Sequence, residues 1–129
     1  MKKMKEEYMG YTSPVKKPWG EYTDYFRSDR VVFKKIIILP GEEISYQTHS
    51  KRSEFWYVIE GTGLLRWNHL DNWKVAPGFT IEIRKNDAHQ LINTGDIDLV
   101  VYEMQFGECS EDDIVRMEDK YERGNDNEQ

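Results

Sequence analysis

Cysteine is almost missing: Cys109 is the single thiol in 129 residues. One thiol closes no internal disulfide and builds no cysteine-based zinc site. No histidine or basic cluster stands beside it in sequence, so it reads as a small reduced side chain rather than a reactive one. Long apolar runs are missing too; nothing approaches the ~18 residues a membrane helix needs. The start, MKKMKEEYMG, is basic but has no apolar stretch behind it, so it does not read as a secretory signal, and the expected compartment is the cytoplasm. Nor is there a surplus of positive charge. The 18 Lys and Arg face 24 Asp and Glu, a net of −6, which excludes nucleic-acid binding by bulk attraction.

What is present is unevenly spread. The length suits about one domain of ~100–150 residues. Residues 1–17 carry five Lys against Glu6 and Glu7, and residues 111–129 carry eight acids against Arg116, Lys120 and Arg123. The stretch between holds most of the 17 aromatic residues, enough for a core. Residues 1–17 have no clear period and end in SPVKK, which reads as a flexible or partner-docking arm. The body is expected over 18–123, and 124–129 as a frayed, disordered tail.

Strand signals fill the body. EYTDYF (21–26), RVVFKKIIIL (30–39), EISYQTH (43–49), EFWYVIE (54–60), LLRW (64–67), WKV (73–75), FTIEI (79–83), AHQLIN (88–93) and DLVVYEMQF (98–106) are β-branched, aromatic or alternating. Pro40-Gly41, Pro77-Gly78 and Asn93-Thr94-Gly95 punctuate them. Gly61 and Gly63 bracket what reads as a hairpin turn. Eight or nine short strands at this spacing predict an all-β sandwich or barrel. The tail differs: Ile114, Val115, Met117 and Tyr121 stand among charges, with Ser110 and Asp113 spaced like a loose capping box, so the pattern predicts one short C-terminal helix. Trp67 and Trp73 flank the 68–72 turn and, with Trp19, are candidates for an exposed aromatic patch.

Three histidines exist, His49, His69 and His89. His69 lies in a turn and reads as solvated. The other two sit in ordered surroundings. Gly41, five residues, Gln47, one residue, His49, four residues, Glu54, six residues, Gly61 make one stretch. Gln47 and His49, two apart on a strand, share a face. A hairpin is expected to bring Glu54 opposite His49. The second stretch is Gly78, five residues, Arg84-Lys85-Asn86-Asp87-Ala88-His89, three residues, Asn93.

These two stretches resemble the two cupin motifs, with Gln47 in place of a first histidine and Arg84 and Asn86 where proline and glycine are usual. Asn86 still permits the turn, because asparagine tolerates positive φ. The resemblance implies a small cupin β-barrel (double-stranded β-helix, jelly roll) and one divalent metal ion held by Gln47, His49, Glu54 and His89. Two imidazoles, a carboxylate and an amide oxygen suit Zn, Mn, Co, Ni or Fe.

Further residues resemble type II mannose-6-phosphate isomerases, often the C-terminal part of bifunctional guanylyltransferases. Lys17-Pro18-Trp19-Gly20-Glu21-Tyr22 resembles their PWG entry, and Gln47-Thr48-His49 with Arg52-Ser53-Glu54-Phe55-Trp56 their Q-x-H-x-x-R-x-E-x-W block, where glutamine is the usual first ligand. Asn93-Thr94-Gly95 and Asp112-Asp113-Ile114-Val115-Arg116 continue the likeness, which covers about residues 17–123. Phe55, Arg84 and Glu122 depart from it, the last standing where glycine is usual. The implied reaction interconverts mannose 6-phosphate and fructose 6-phosphate. Glu103 and Lys34, on central strands, are candidates for the proton-transfer group, with a buried salt pair as the competing reading. Arg52, Arg84, Lys85, Arg116 and Arg123 are phosphate candidates, though Arg116 and Arg123 also suit pairing with Glu118 and Asp119. Trp56 shares strand parity with Glu54 and is expected to wall the site or pack in the core. The expected partners are a sugar phosphate, a second copy in a homodimer and a separate nucleotidyltransferase. A non-catalytic sugar-phosphate binder and, less favoured, a metal-dependent oxygenase are the alternatives.

Overall fold

β-Branched residues and tight turns dominate the chain, and both favour short pleated strands over helix. The computed structural model describes Tyr8–Met9 and residues 12–69 and 71–122. It contains twelve strands: β1 (Tyr8–Met9), β2 (Val15–Lys17), β3 (Gly20–Arg27), β4 (Val31–Ile38), β5 (Tyr46–Thr48), β6 (Arg52–Glu60), β7 (Gly63–Trp67), β8 (Asp71–Val75), β9 (Thr80–Ile83), β10 (His89–Asn93), β11 (Leu99–Gly107) and β12 (Val115–Glu118). A seven-stranded sheet runs β1-β3-β4-β11-β6-β9, with β2 also on β3. A five-stranded sheet runs β12-β5-β10-β7-β8. From β4 onward the chain passes back and forth between them. This is the winding of a double-stranded β-helix.

That winding corrects three expectations. Gly61 and Gly63 do not close a hairpin: β6 and β7 lie in different sheets. Gly61 takes φ +86° as the chain crosses, and a Cβ there would run into the Asp98 carbonyl. Glu54 likewise does not reach His49 through a β5–β6 hairpin; it faces it across the two sheets. The third correction is the C-terminal helix. No helix is present among the described residues. Residues 115–118 form β12, paired with β5 through Val115↔Thr48 and Arg116↔Gln47. Arg116 is buried between exposed Val115 and Met117, a period of two. Asp113, expected to help start a helix, instead accepts hydrogen bonds from the backbone N–H groups of Ser50 (3.0 Å) and Lys51 (2.9 Å).

The proposed tryptophan patch also dissolves. Trp19 is core, Trp67 is half-buried, and Trp73 stands exposed on β8. The 15–17 end of the expected arm is strand β2, paired with β3. The frayed tail and Arg123 lie outside the described residues.

Between the sheets the inward residues sort by height. Trp19, Ile36, Ile38, Trp56, Val58, Leu65, Ile83, Leu91, Leu99 and Val101 belong to one apolar cluster. Further along the same strands the inward positions become Lys34 on β4, Glu103 and Gln105 on β11, and Glu54 and Arg52 on β6, all buried. Register aligns them: Glu103 opposes both Lys34 and Trp56, and Gln105 opposes Glu54. One end of the barrel is therefore oily and the other charged. The seven-stranded sheet's outer face carries Phe55, Tyr57, Ile59 and Phe106, all exposed.

Candidate metal centre

The charged end gathers the sequence-predicted ligands. His49 leaves the end of β5, His89 opens β10, and Glu54 comes from β6 in the opposite sheet. Their ligand atoms lie within 4.8 Å of one another. Glu54 Oε2 is 3.4 Å from His49 Nε2, and Glu54 Oε1 is 3.7 Å from His89 Nε2. The imidazoles are oriented from behind: His49 Nδ1 lies 2.5 Å from the Asp113 carbonyl and His89 Nδ1 2.9 Å from the Asp87 carbonyl. A carbonyl only accepts, so each Nδ1 carries the proton and each Nε2 presents a lone pair. The turn that delivers His89 contains Asn86 at φ +68°, the positive φ that asparagine tolerates, and Asn86 N–H donates to the His49 carbonyl (2.8 Å).

Three lone-pair donors facing inward repel unless something positive lies among them, and of the three Arg52 meets only Glu54 and His49. His89 Nε2 is buried and has no hydrogen-bond partner among the described residues. An orphaned imidazole nitrogen beside a carboxylate fits a divalent cation. Gln47, fully buried, directs its amide nitrogen at His49 Nε2 (3.4 Å), while its oxygen accepts from Ser45 Oγ (2.7 Å). Exchanging amide oxygen and nitrogen costs little, since a hydroxyl both donates and accepts, and it turns the oxygen inward as a fourth ligand.

Two side chains hold Glu54 in place. Arg52 donates Nε and Nη2 to Glu54 Oε2, both at 2.9 Å, and its Nη2 lies 3.3 Å from His49 Nε2. Trp56 Nε1 is shared between Glu54 Oε1 and Glu103 Oε2, 3.0 Å from each. The other oxygen of Glu103 accepts from Gln105 Nε2 (2.6 Å). Burial drives the His49 pKa down to about 4, with the Arg52 and His89 charges adding to it and Glu54 opposing. His89 is lowered chiefly by burial. Both are thus neutral near pH 7, the state a metal ligand needs. Burial pushes Glu54 up, but Arg52 and the two histidines outweigh it and hold it below the carboxylate range. Burial and the Glu54 charge raise Glu103 to about 8.

The other predicted residues divide. Arg52 and Trp56 belong to the centre, but as supports of Glu54. Lys34 points inward beside Glu103, yet its Nζ donates to Glu111 Oε1 (2.8 Å) and lies 4.0 Å from the centre of the Tyr22 ring. Burial works against its charge and is outweighed by Glu111, Glu103 and Asp24, which raise its pKa. Arg84 is exposed beside Glu82. Lys85 lines a surface cleft of about 450 Å³ with Arg30, Ser50 and Lys51, apart from the three ligands. Arg116 is buried on β12 opposite Gln47. Sequence reasoning missed Arg27, Gln105 and Glu111. Glu111 carried a signal in the 111–113 acidic run, taken there for the first turn of a helix; Arg27 carried none.

Comparison with known proteins agrees with this fold. The family model described as mannose-6-phosphate isomerase C-terminal matches residues 4–119. The mannose-1-phosphate guanylyltransferase ManC of Salmonella typhimurium is 36% identical over 110 residues, covering 84% of this chain and 23% of its own length. The alginate biosynthesis protein AlgA of Pseudomonas aeruginosa is 34% identical over 110 residues, with the same coverage of 84% and 23%. The chain thus spans about a quarter of these relatives. A crystal structure from Klebsiella pneumoniae, an uncharacterized conserved protein with a double-stranded beta-helix domain, superposes with TM-score 0.63 at 16% identity over 74% of this chain and 77% of that one. Its likeness bears on fold alone. With the family model over residues 4–119, relatives 34–36% identical over 84% of the chain and the fold in accord, the chain belongs to the mannose-6-phosphate isomerase C-terminal family of cupin domains.

Proposed function

We propose that this domain is a metal-dependent aldose–ketose isomerase interconverting mannose 6-phosphate and fructose 6-phosphate. The observation that carries it is the juxtaposition of the His49–Glu54–His89 cluster with a second buried carboxyl, Glu103, tied to Glu54 through one indole N–H. Family membership supports the choice of sugar.

His49, Glu54, His89 and Gln47 would hold the ion. When bound, it supplies Lewis acidity for the oxygen that becomes negative as a proton moves between C1 and C2. In its ionised form, the minor one near pH 7 because burial and Glu54 raise its pKa to about 8, Glu103 takes the C2 proton of the aldose on a carboxylate oxygen and returns it to C1, while the hydroxyl proton passes from O2 to O1. It suits this by position: it is held by Trp56 and Gln105 on a rigid strand, beside the ligand cluster. Arg52 and Trp56 keep Glu54 oriented and absorb its charge. The apolar cluster beneath keeps bulk water from the barrel floor.

The test is turnover by metal-stripped protein on mannose 6-phosphate, followed as fructose 6-phosphate with Mn, Co, Zn, Ni or Mg restored. Turnover returning with one of them is the expected outcome. Glu103→Gln should lower kcat by about 10²–10⁴-fold while metal content stays whole. A folded, metal-loaded protein with no turnover would replace this reading with ligand binding alone.

A further inference from the structure

Three cations line the charged end, and two of them serve no part of the centre described above. Lys34 on β4 is 1% exposed, at an inward position flanked by Val32 and Ile36. An ammonium buried there costs several kcal/mol unless an anion meets it. Arg27, at the end of β3, is fixed by Asp24, which accepts from its Nε at 3.1 Å. Both cations converge on a single oxygen: Glu111 Oε1 lies 2.8 Å from Lys34 Nζ and 2.9 Å from Arg27 Nη2. Glu111 Oε2 is buried and has no hydrogen-bond partner among the described residues.

The three groups are mounted differently. The cations stand on strands of the seven-stranded sheet. Glu111 comes from the turn between β11 and β12, and its side chain is 26% exposed against 1% for Lys34 and 12% for Arg27, although its second oxygen is itself buried. Because Glu111 stands on a turn, exchange of its carboxylate for another anion would leave both strands, and the Arg27–Asp24 pair, in place. The geometry points to a phosphate-binding site formed by Lys34 and Arg27, in which the Glu111 carboxylate stands in for the substrate's phosphate group. A carboxylate engages both donors through one oxygen and leaves the other idle. A phosphate offers three oxygens and more charge to the same donors.

The placement also suits the reaction, and here the inference rests on the sugar-phosphate reading above. Lys34 opposes Glu103, and Glu103 opposes Trp56 on β6, the strand of Glu54. From β4 to β6 is two strand spacings, about 10 Å. A hexose 6-phosphate laid across β11 puts its carbonyl end at the ligand cluster, C1 and C2 against Glu103, and its phosphate at Lys34 and Arg27. Lys34 is then an anchor rather than a proton carrier, and Glu111 keeps the buried cations neutralised until substrate arrives.

Inorganic phosphate is the probe, with sodium chloride at equal ionic strength as control. Affinity is read by calorimetry and thermal shift in the full chain, without turnover. Glu111→Ala should lower Tm, and phosphate should restore it; the variant should bind phosphate roughly tenfold tighter than the parent, a difference of about 1.4 kcal/mol. Adding Lys34→Met to that variant should remove the gain. If Glu111→Ala fails to fold, Glu111→Gln gives the same readout with the charge alone removed. Equal phosphate affinity in parent and variant, or a gain that survives Lys34→Met, overturns the site. A chain that binds phosphate in this way but never isomerises keeps the site and loses the isomerase; active enzyme whose Glu111 variants gain no phosphate affinity loses the site alone.

Discussion

Glu54 is the residue on which the charged end depends, because Arg52, Trp56 and both imidazoles address its two oxygens. Glu54→Gln removes a ligand charge and leaves Arg52, 1% exposed, without its counter-ion. The expected result is loss of bound divalent metal, read by elemental analysis, with a stability loss of about 3–5 kcal/mol by denaturant titration. His89→Ala should lose the metal as well but leave the Arg52 pair intact, so its stability should fall less. Glu111 makes a separate prediction about acid. Burial favours its neutral form, yet Lys34, Arg52 and Arg27 outweigh that and bring it from 4.5 down to about 2. A depressed carboxyl stabilises the fold fully above pH 4.5, and the contribution fades as the pH falls toward 2. Urea unfolding across that window should show stability dropping by a few kcal/mol, at about 1.4 kcal/mol per unit. In Glu111→Gln the slope should flatten; an unchanged slope would assign the acid sensitivity elsewhere.

At the level of the element, the segment between β11 and β12 explains both an error and a function. Its run of acids looked like a helix start, and local pattern alone favours that. Asp112 accepts locally from the Ser110 hydroxyl, but the other two acids are spent on distant segments, Glu111 on Lys34 and Arg27 and Asp113 on the Ser50–Lys51 turn. Such contacts, some 60–80 residues apart in sequence, carry no periodic signature. The backbone carbonyl of Asp113 also fixes the His49 tautomer. Asp113→Ala should therefore cost roughly 1–2 kcal/mol of stability and weaken metal affinity by about tenfold, as loss of an outer support does. Thermal melts and metal titration of the same variant check both; a stability loss with metal affinity intact would confine Asp113 to the turn. Most strands, by contrast, were legible within a residue or two, because a β-branched run bounded by Pro-Gly or Asn-Thr-Gly leaves few other conformations.

Across the whole molecule, stability and chemistry occupy opposite ends of one barrel. The apolar cluster from Trp19 to Val101 joins the sheets without using any metal ligand. Chelation should thus leave the sheet signal in circular dichroism unchanged and lower Tm by several degrees, since a ligand bound only to the native state adds its binding energy to the fold. Complete unfolding by chelator would mean that the metal, and not the core, joins the two sheets.

Read by itself, the chain determined strands β3 to β11 and its Pro-Gly turns, because strand propensity and turn chemistry are local properties of residues and short spacings; its likeness to the cupin motifs pointed to Gln47, His49, Glu54 and His89, of which the tertiary structure gathers His49, Glu54 and His89 into one cluster. It did not determine which strands share a sheet, so two hairpins were expected where the chain crosses between layers. It also left five arginines and lysines equally placed for phosphate. Packing separated Arg52, Arg84, Lys85 and Arg116; Arg123 lies outside the described residues. The register that sets Lys34 beside Glu103, and the turn that carries Glu111 onto Lys34 and Arg27, arise from contacts between residues far apart in sequence. Burial then decides which charges matter, for an ion pair in water contributes little and the same pair inside a barrel orders everything around it.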